Sequence, residues 1–122
     1  MSTTRAIRFT APGGPEVMRL ETVELPAPAP GQVQIRHTVI GLNFQEVYQR
    51  SGVYKMPSPS GLGSEAAGAV EKLDASAGAV FALVAKGVLK PNINARYALA
   101  DVSRAHADLE AGRTVGASLL IP

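Results

Sequence analysis

Three prolines in five residues, Pro26-Ala27-Pro28-Ala29-Pro30, followed by Gly31, constrain this chain more than any other stretch. Proline locks φ and has no N–H, so the segment can neither join a strand ladder nor continue a helix. It reads as an extended connector. On its N-terminal side, Arg5 to Thr10 alternates and is rich in β-formers. Gly13-Gly14-Pro15 breaks that run, because two glycines can take positive φ and proline sets the next bend. Val17 to Leu25 alternates again, with Val17, Leu20, Val23 and Leu25 as apolar positions. On the C-terminal side, Val33 to Ile40 is the clearest strand, in which Val33, Ile35 and Val39 alternate with Gln34, Arg36 and Thr38.

A short helix is predicted over Asn43 to Arg50, started by the Asn43 side chain and ended by Gly52. Met56 to Gly61 is a proline-serine loop, and Ala67 to Leu73 is one more strand. The pattern then changes. Val80, Phe81, Leu83 and Val84 stand at helical spacing, with Ser76 as cap and Gly87 as stop. Ile93 to Leu99 is a strand. Asp101 is placed to cap a helix with Val102, Ala105 and Leu109 on one face, closed by Gly112. Ala117 to Ile121 is a short terminal strand. A β-rich half followed by alternating helices and strands predicts an α+β fold.

At 122 residues the chain is the size of one domain, with a modest core. Net charge is only +2, and Arg5, Arg8, Arg19, Arg36 and Arg50 form no stripe, so a nucleic-acid partner is not expected. No apolar run reaches membrane-spanning length, which argues against a membrane protein. The N-terminus leads straight into strand-like sequence with no signal peptide, which makes the cytoplasm the expected location. With no cysteine, the chain has no disulfide, thiol nucleophile or cysteine zinc site.

Gly61-Leu62-Gly63-Ser64-Glu65-Ala66 matches a loose dinucleotide fingerprint, but its context is wrong. A phosphate loop follows a strand and opens a helix, whereas this one follows a loop and precedes a strand. His37 and His106 are too few and too separated for a metal motif, and each reads as a surface or hydrogen-bonded histidine. The densest polar cluster is Asn43, Gln45, Glu46, Tyr48, Gln49, Arg50 and Tyr54. Two accounts of it stand open. Asn43 and Tyr48 could line a pocket and hydrogen-bond a carbonyl. Alternatively Asn43 only caps, Glu46 and Arg50 make a solvated i,i+4 pair, and Tyr48 and Tyr54 pack the barrel.

Taken together, these segments resemble the zinc-free quinone oxidoreductase branch of the medium-chain dehydrogenase/reductase family. The resemblance rests on Gly13-Gly14-Pro15-Glu16-Val17, on Ile40-Gly41-Leu42-Asn43-Phe44 through Tyr48, on Arg50-Ser51-Gly52 with Tyr54, and on Pro59 through Gly68. At the other end it rests on Ala105-His106, Leu109-Glu110 and Ser118 to Pro122. It implies an incomplete GroES-like β-barrel with a few flanking helices and no Rossmann domain. It also implies that Asn43, Tyr48 and Tyr54 bind a quinone-like substrate and that Asn43 and Tyr48 also face a nicotinamide. The family's cofactor is NADPH. In zinc-dependent relatives a cysteine and a histidine occupy the places of Asn43 and Ser64, so no metal is expected here. Gln45-Glu46 and Gly112 depart from the family's usual Ile-Asp and basic residue, which weakens the cofactor site.

The resemblance to the family's N-terminal segments stops near Leu73. It resumes at the helix around Val80–Val84, across the small-residue stretch Asp74 to Gly78, which looks like an engineered or evolved splice. The expectation is one domain over 1–122, with a block 1–73 joined through 74–78 to a block 79–122. Three functions compete: a domain-deleted scaffold with a remnant quinone pocket and no bound cofactor, an active NADPH-dependent reductase, and a structural or partner-binding module. The first is favoured, because hydride transfer needs a donor held in near-attack geometry. No residue is assigned a catalytic role. Self-association through a surface other than the family's usual one is expected, since a lost neighbour uncovers apolar surface.

Overall fold

A computed structural model of the chain describes residues 2–73 and 93–122. The joining stretch 74–78 and the helix expected around Val80–Val84 lie outside them. Strand β1, Ser2–Phe9, is followed by a 3₁₀ turn at Pro15–Val17 and by β2, Arg19–Leu25. After the proline connector come β3, Val33–Leu42, helix α1, Phe44–Ser51, the two-residue β4, Ser60–Gly61, and β5, Ala66–Leu73. The later segment gives β6, Ile93–Ala98, a 3₁₀ turn at Leu99–Asp101, helix α2, Val102–Glu110, and β7, Ala117–Ile121. The strands form two sheets, ordered β2-β1-β4 and β5-β3-β7-β6.

Strand β7 brings the two ends of the chain together. It runs antiparallel to β3, pairing Leu120 with Ile40 and Ser118 with Leu42, and parallel to β6 on its other side. Its alternation buries Ser118 and Leu120 and leaves Ile121 exposed. Ile7, Met18 and Leu42 from the first half share one apolar cluster with Tyr97, Leu99, Val102, Ala105 and Leu120 from the second. Val102 and Ala105 are three apart on α2 and face inward, as a helical stripe requires.

Local expectations fare unevenly. Gly52 ends α1 with φ +91°, the left-handed conformation a C-terminal glycine supplies at no steric cost. Gly14, by contrast, has φ −73°, and Gly13 is not among the positive-φ glycines. These two are needed for room: a Cβ on Gly13 would meet Val17 Cγ1 at 2.6 Å. Val17 belongs to the 3₁₀ turn, so β2 starts two residues later than its alternation suggested. The alternation of β3 is broken by irregularities against β5 at Gln34/Ile35 and His37/Val39. Asp101 closes a 3₁₀ turn and makes no side-chain cap to α2. Its carboxylate instead lies 3.6 Å from Arg104.

The largest correction concerns Glu46 and Arg50. They form no solvated pair, since their side chains are 2% and 1% exposed and point inward to separate partners. Arg50 Nε donates to His106 Nδ1 at 3.2 Å, Nη1 donates to the Gly13 carbonyl at 2.7 Å, and Nη2 pairs with Glu110. The Gly13 N–H donates back to the Arg50 carbonyl at 3.1 Å, and Ser103 Oγ donates to the Pro15 carbonyl at 2.9 Å. One guanidinium thus ties α1, the Gly13–Val17 turn and α2 together. Burial pulls Arg50 below its ordinary value, and Glu16 opposes that pull. His106 is held neutral: burial first, and the Arg50 charge second, lower it from 6.5 to about 4.

Two outcomes follow. A group whose folded value is depressed contributes stability that is full above its unfolded value and lost as pH falls through the folded one. Urea midpoints should therefore fall between pH 6.5 and about 4, with up to about 3 kcal/mol from His106. The fall should be smaller in a His106→Gln variant, and superimposable profiles would contradict the assignment. Leu120→Ala should cost about 2–5 kcal/mol by opening a cavity in the shared cluster. A loss below about 1 kcal/mol in chemical denaturation would mean that β7 is not packed as described.

Candidate functional site

The candidate residues gather around α1 because that helix is two-faced. Glu46, Val47 and Arg50, spaced at helical intervals, are buried. Phe44 and Tyr48, one turn apart, lie on the outer face at 43% and 40% exposure. Their rings meet edge-on at 5.3 Å between centroids. Beyond Gly52 the chain folds back, the Tyr54 N–H donates to the Tyr48 carbonyl at 3.1 Å, and the Tyr54 ring meets Tyr48 at 5.6 Å and 65°. The result is a stepped aromatic ridge, Phe44–Tyr48–Tyr54, open to solvent. Such a ridge offers π-faces and edges to a flat ring and two phenol hydroxyls to a carbonyl.

Tyr48 and Tyr54 therefore do not pack into a barrel interior, which corrects one of the two sequence accounts. Phe44 was not singled out from sequence, although its i,i+4 spacing from Tyr48 was the available signal. Asn43 lies at the other end of the helix, five residues before Tyr48, or about 7.5 Å along the axis. It stands at the N-cap with extended backbone, and its N–H donates to Glu46 Oε2 at 2.6 Å. Its side-chain Nδ2 donates to Glu65 Oε2 at 2.9 Å, which commits the amide nitrogen to that carboxylate. Ser64 Oγ donates to Glu46 Oε1 at 3.0 Å. Glu65 is fixed in turn, because its carbonyl accepts from the Gly41 N–H at 3.0 Å. Asn43 thus belongs to a polar mesh with Glu46, Ser64 and Glu65, and the two tyrosines to an aromatic ridge made by the outer face of the helix and the segment after Gly52.

A groove of about 1610 Å³ runs between the two sheets. Glu46, Ser64 and Glu65 line it, whereas Asn43, Tyr48 and Tyr54 do not. The ridge is an exposed face beside the groove.

The donor set here does not fit zinc. Asn43 and Ser64 are an amide and a hydroxyl already bonded to carboxylates, and the chain has no cysteine. His37 is exposed on β3 and His106 is turned to Arg50. Among the described residues no three His, Cys, Asp or Glu side chains converge on a point. The Gly61-to-Ala66 segment does not have the form of a dinucleotide phosphate loop either. Gly61 to Ala66 runs from β4 into β5 with no helix after it, and Glu46 places a carboxylate at the first turn of α1.

With this geometry in view, the comparisons are consistent. A profile of the family described as zinc-binding dehydrogenase matches residues 21–119. The quinone oxidoreductase of Pseudomonas aeruginosa is 50% identical over 68 residues, which are 55% of this chain and 21% of that protein. The matched stretch is thus about a fifth of that relative's length. The structure of Escherichia coli quinone oxidoreductase complexed with NADPH superposes with a TM-score of 0.53 at 47% identity, over 61% of this chain and 24% of the other. A native mycobacterial quinone oxidoreductase structure superposes with a TM-score of 0.84 over 99% of this chain and 100% of that one. At 15% identity the last match shows a shared fold alone. By the extent of the profile match and its likeness to quinone oxidoreductases, the chain belongs to the zinc-binding dehydrogenase family.

Proposed function

We propose that this chain is the substrate-side domain of a quinone oxidoreductase: a scaffold that holds small quinone-like molecules and does not by itself turn over NADPH. The observation that carries this is the solvent-open ridge formed by Phe44 and Tyr48 on the helix capped by Asn43 and by Tyr54 just beyond Gly52. A quinone ring stacks on or against Tyr48, and the Tyr48 and Tyr54 hydroxyls donate to its oxygens. Asn43, with one N–H committed to Glu65, keeps its second amide N–H for a bound ring or a nicotinamide. The Pseudomonas aeruginosa and Escherichia coli relatives, both named quinone oxidoreductases, support the substrate class. In the same reading, the two sheets are an incomplete GroES-like barrel. Residues 1–122 form one domain, made of 1–73 joined through 74–78 to 79–122. It works in the cytoplasm without a metal.

NADPH, when bound, supplies a hydride. The described residues contribute ring-stacking and carbonyl contacts, and hold no cradle for the dinucleotide phosphates. Without that positioning the barrier is higher by about 7–11 kcal/mol, more than two phenol contacts restore.

The test has two arms. NADPH oxidation by the purified chain with 1,4-benzoquinone should match buffer, and NADPH titration should show no binding. Menadione added in an NMR titration should shift signals of Phe44, Tyr48 and Tyr54, and the shifts should disappear in Tyr48→Ala. Saturable NADPH turnover that is lost in an Asn43→Ala, Tyr48→Phe double variant would overturn the scaffold reading. Menadione shifts elsewhere, or none, would overturn the ridge as the site.

A further inference from the structure

The orientation of a side-chain amide is decided by what its two ends meet, because the oxygen accepts and the nitrogen donates. At Asn43 one end meets Glu65. An ionised carboxylate only accepts, so the 2.9 Å contact with Glu65 Oε2 fixes Nδ2 on that side. The helix agrees from the other end, where the Glu46 backbone faces the Asn43 side chain in a capping box. The Asn43 backbone is held as well, its N–H donating to Glu46 Oε2 at 2.6 Å. Two carboxylates thus grip one residue. The donor left over is the second Nδ2 N–H, on a residue exposed to solvent.

Glu65 reaches this place because residue 41 is glycine. The Gly41 N–H donates to the Glu65 carbonyl at 3.0 Å, which holds the segment before β5 against the end of β3. A Cβ on Gly41 would stand 2.6 Å from Glu65 Oε2, and its nearest neighbours would all be atoms of the Glu65 side chain. The carboxylate therefore occupies the space that any other residue at 41 would fill.

We infer that Glu65 is a positioning residue: seated over Gly41, it sets the Asn43 amide so that Asn43 meets a ligand as a hydrogen-bond donor. The ligand group that fits this donor is an acceptor oxygen, as on a quinone carbonyl. The inference rests on the quinone reading for the ligand, and on the Glu65 and Gly41 contacts alone for the orientation of the amide.

Two measurements keep these parts separate. In the free chain, the two Nδ2 protons of Asn43 should give well-separated NMR signals, because one of them is bonded to a carboxylate. The separation should shrink to that of a free asparagine amide in Glu65→Leu. It should shrink equally in Gly41→Ala, which keeps the carboxylate and only displaces it. With menadione as the probe, each variant should weaken binding about 2- to 10-fold, the effect of one hydrogen bond. Neither should weaken it further in an Asn43→Ala background. As a control, 2-methylnaphthalene, the same bicycle without oxygens, should bind all of these chains alike. An Asn43 amide pair unchanged in both variants would overturn the inference. So would a Glu65→Leu loss that persists in the Asn43→Ala background, because Glu65 would then act by another route. A chain that binds no menadione but keeps the restrained amide would sink the quinone reading while supporting Glu65 as the residue that orients Asn43.

Discussion

The Arg50 guanidinium is a full charge with its side chain almost wholly out of water, and the arrangement of both helices depends on satisfying it. A buried cation is tolerated only when its donors are matched by acceptors. Here the acceptors come from three separate places: a backbone carbonyl at Gly13, an imidazole nitrogen at His106 and a carboxylate at Glu110. Each choice restricts the next. His106 must stay neutral to accept from Nε, so Nδ1 carries no proton. Gly13 must lack a side chain for its carbonyl to approach with Val17 packed beside it. Residues far apart in sequence are thereby held as one unit at the place where α1 presents its aromatic face.

That dependence explains what was legible in the sequence. Elements were legible where the signal is local. The Pro26–Pro30 connector, the Asn43-to-Gly52 helix and the terminal strand at Ala117–Ile121 each follow from backbone rules acting over a few residues. Partners were not. The i,i+4 spacing of Glu46 and Arg50 is compatible with an exposed pair, and only the fold shows that α1 turns this face inward. The competing partner of Arg50 is His106, 56 positions away. Asp101 failed as a cap because the chain enters α2 through a 3₁₀ turn in which Asp101 is the last residue.

The candidate site was legible in composition and not in arrangement. Asn43, Tyr48 and Tyr54 share a short segment, but the fold separates them by role. Glu65, in the segment between β4 and β5, takes the Asn43 amide, while Gly52 turns the chain so that Tyr54 meets Tyr48. Room for the turn between β3 and the helix comes from Gly41, where a Cβ would strike the Glu65 carboxylate at 2.6 Å. The polar mesh and the aromatic ridge are therefore both consequences of the way α1 is seated, and the seat is the Arg50 cluster.

That seat is open to direct measurement by a double-mutant cycle on Arg50→Met and His106→Leu, read as unfolding free energy in denaturant. Removing either partner alone leaves a buried polar group unmatched, while removing both leaves an apolar contact of similar shape. The double variant should be less destabilised than the sum of the single variants, by about 0.5–3 kcal/mol. Additive losses would contradict the account, because they would mean the guanidinium and the imidazole are buried side by side without holding one another.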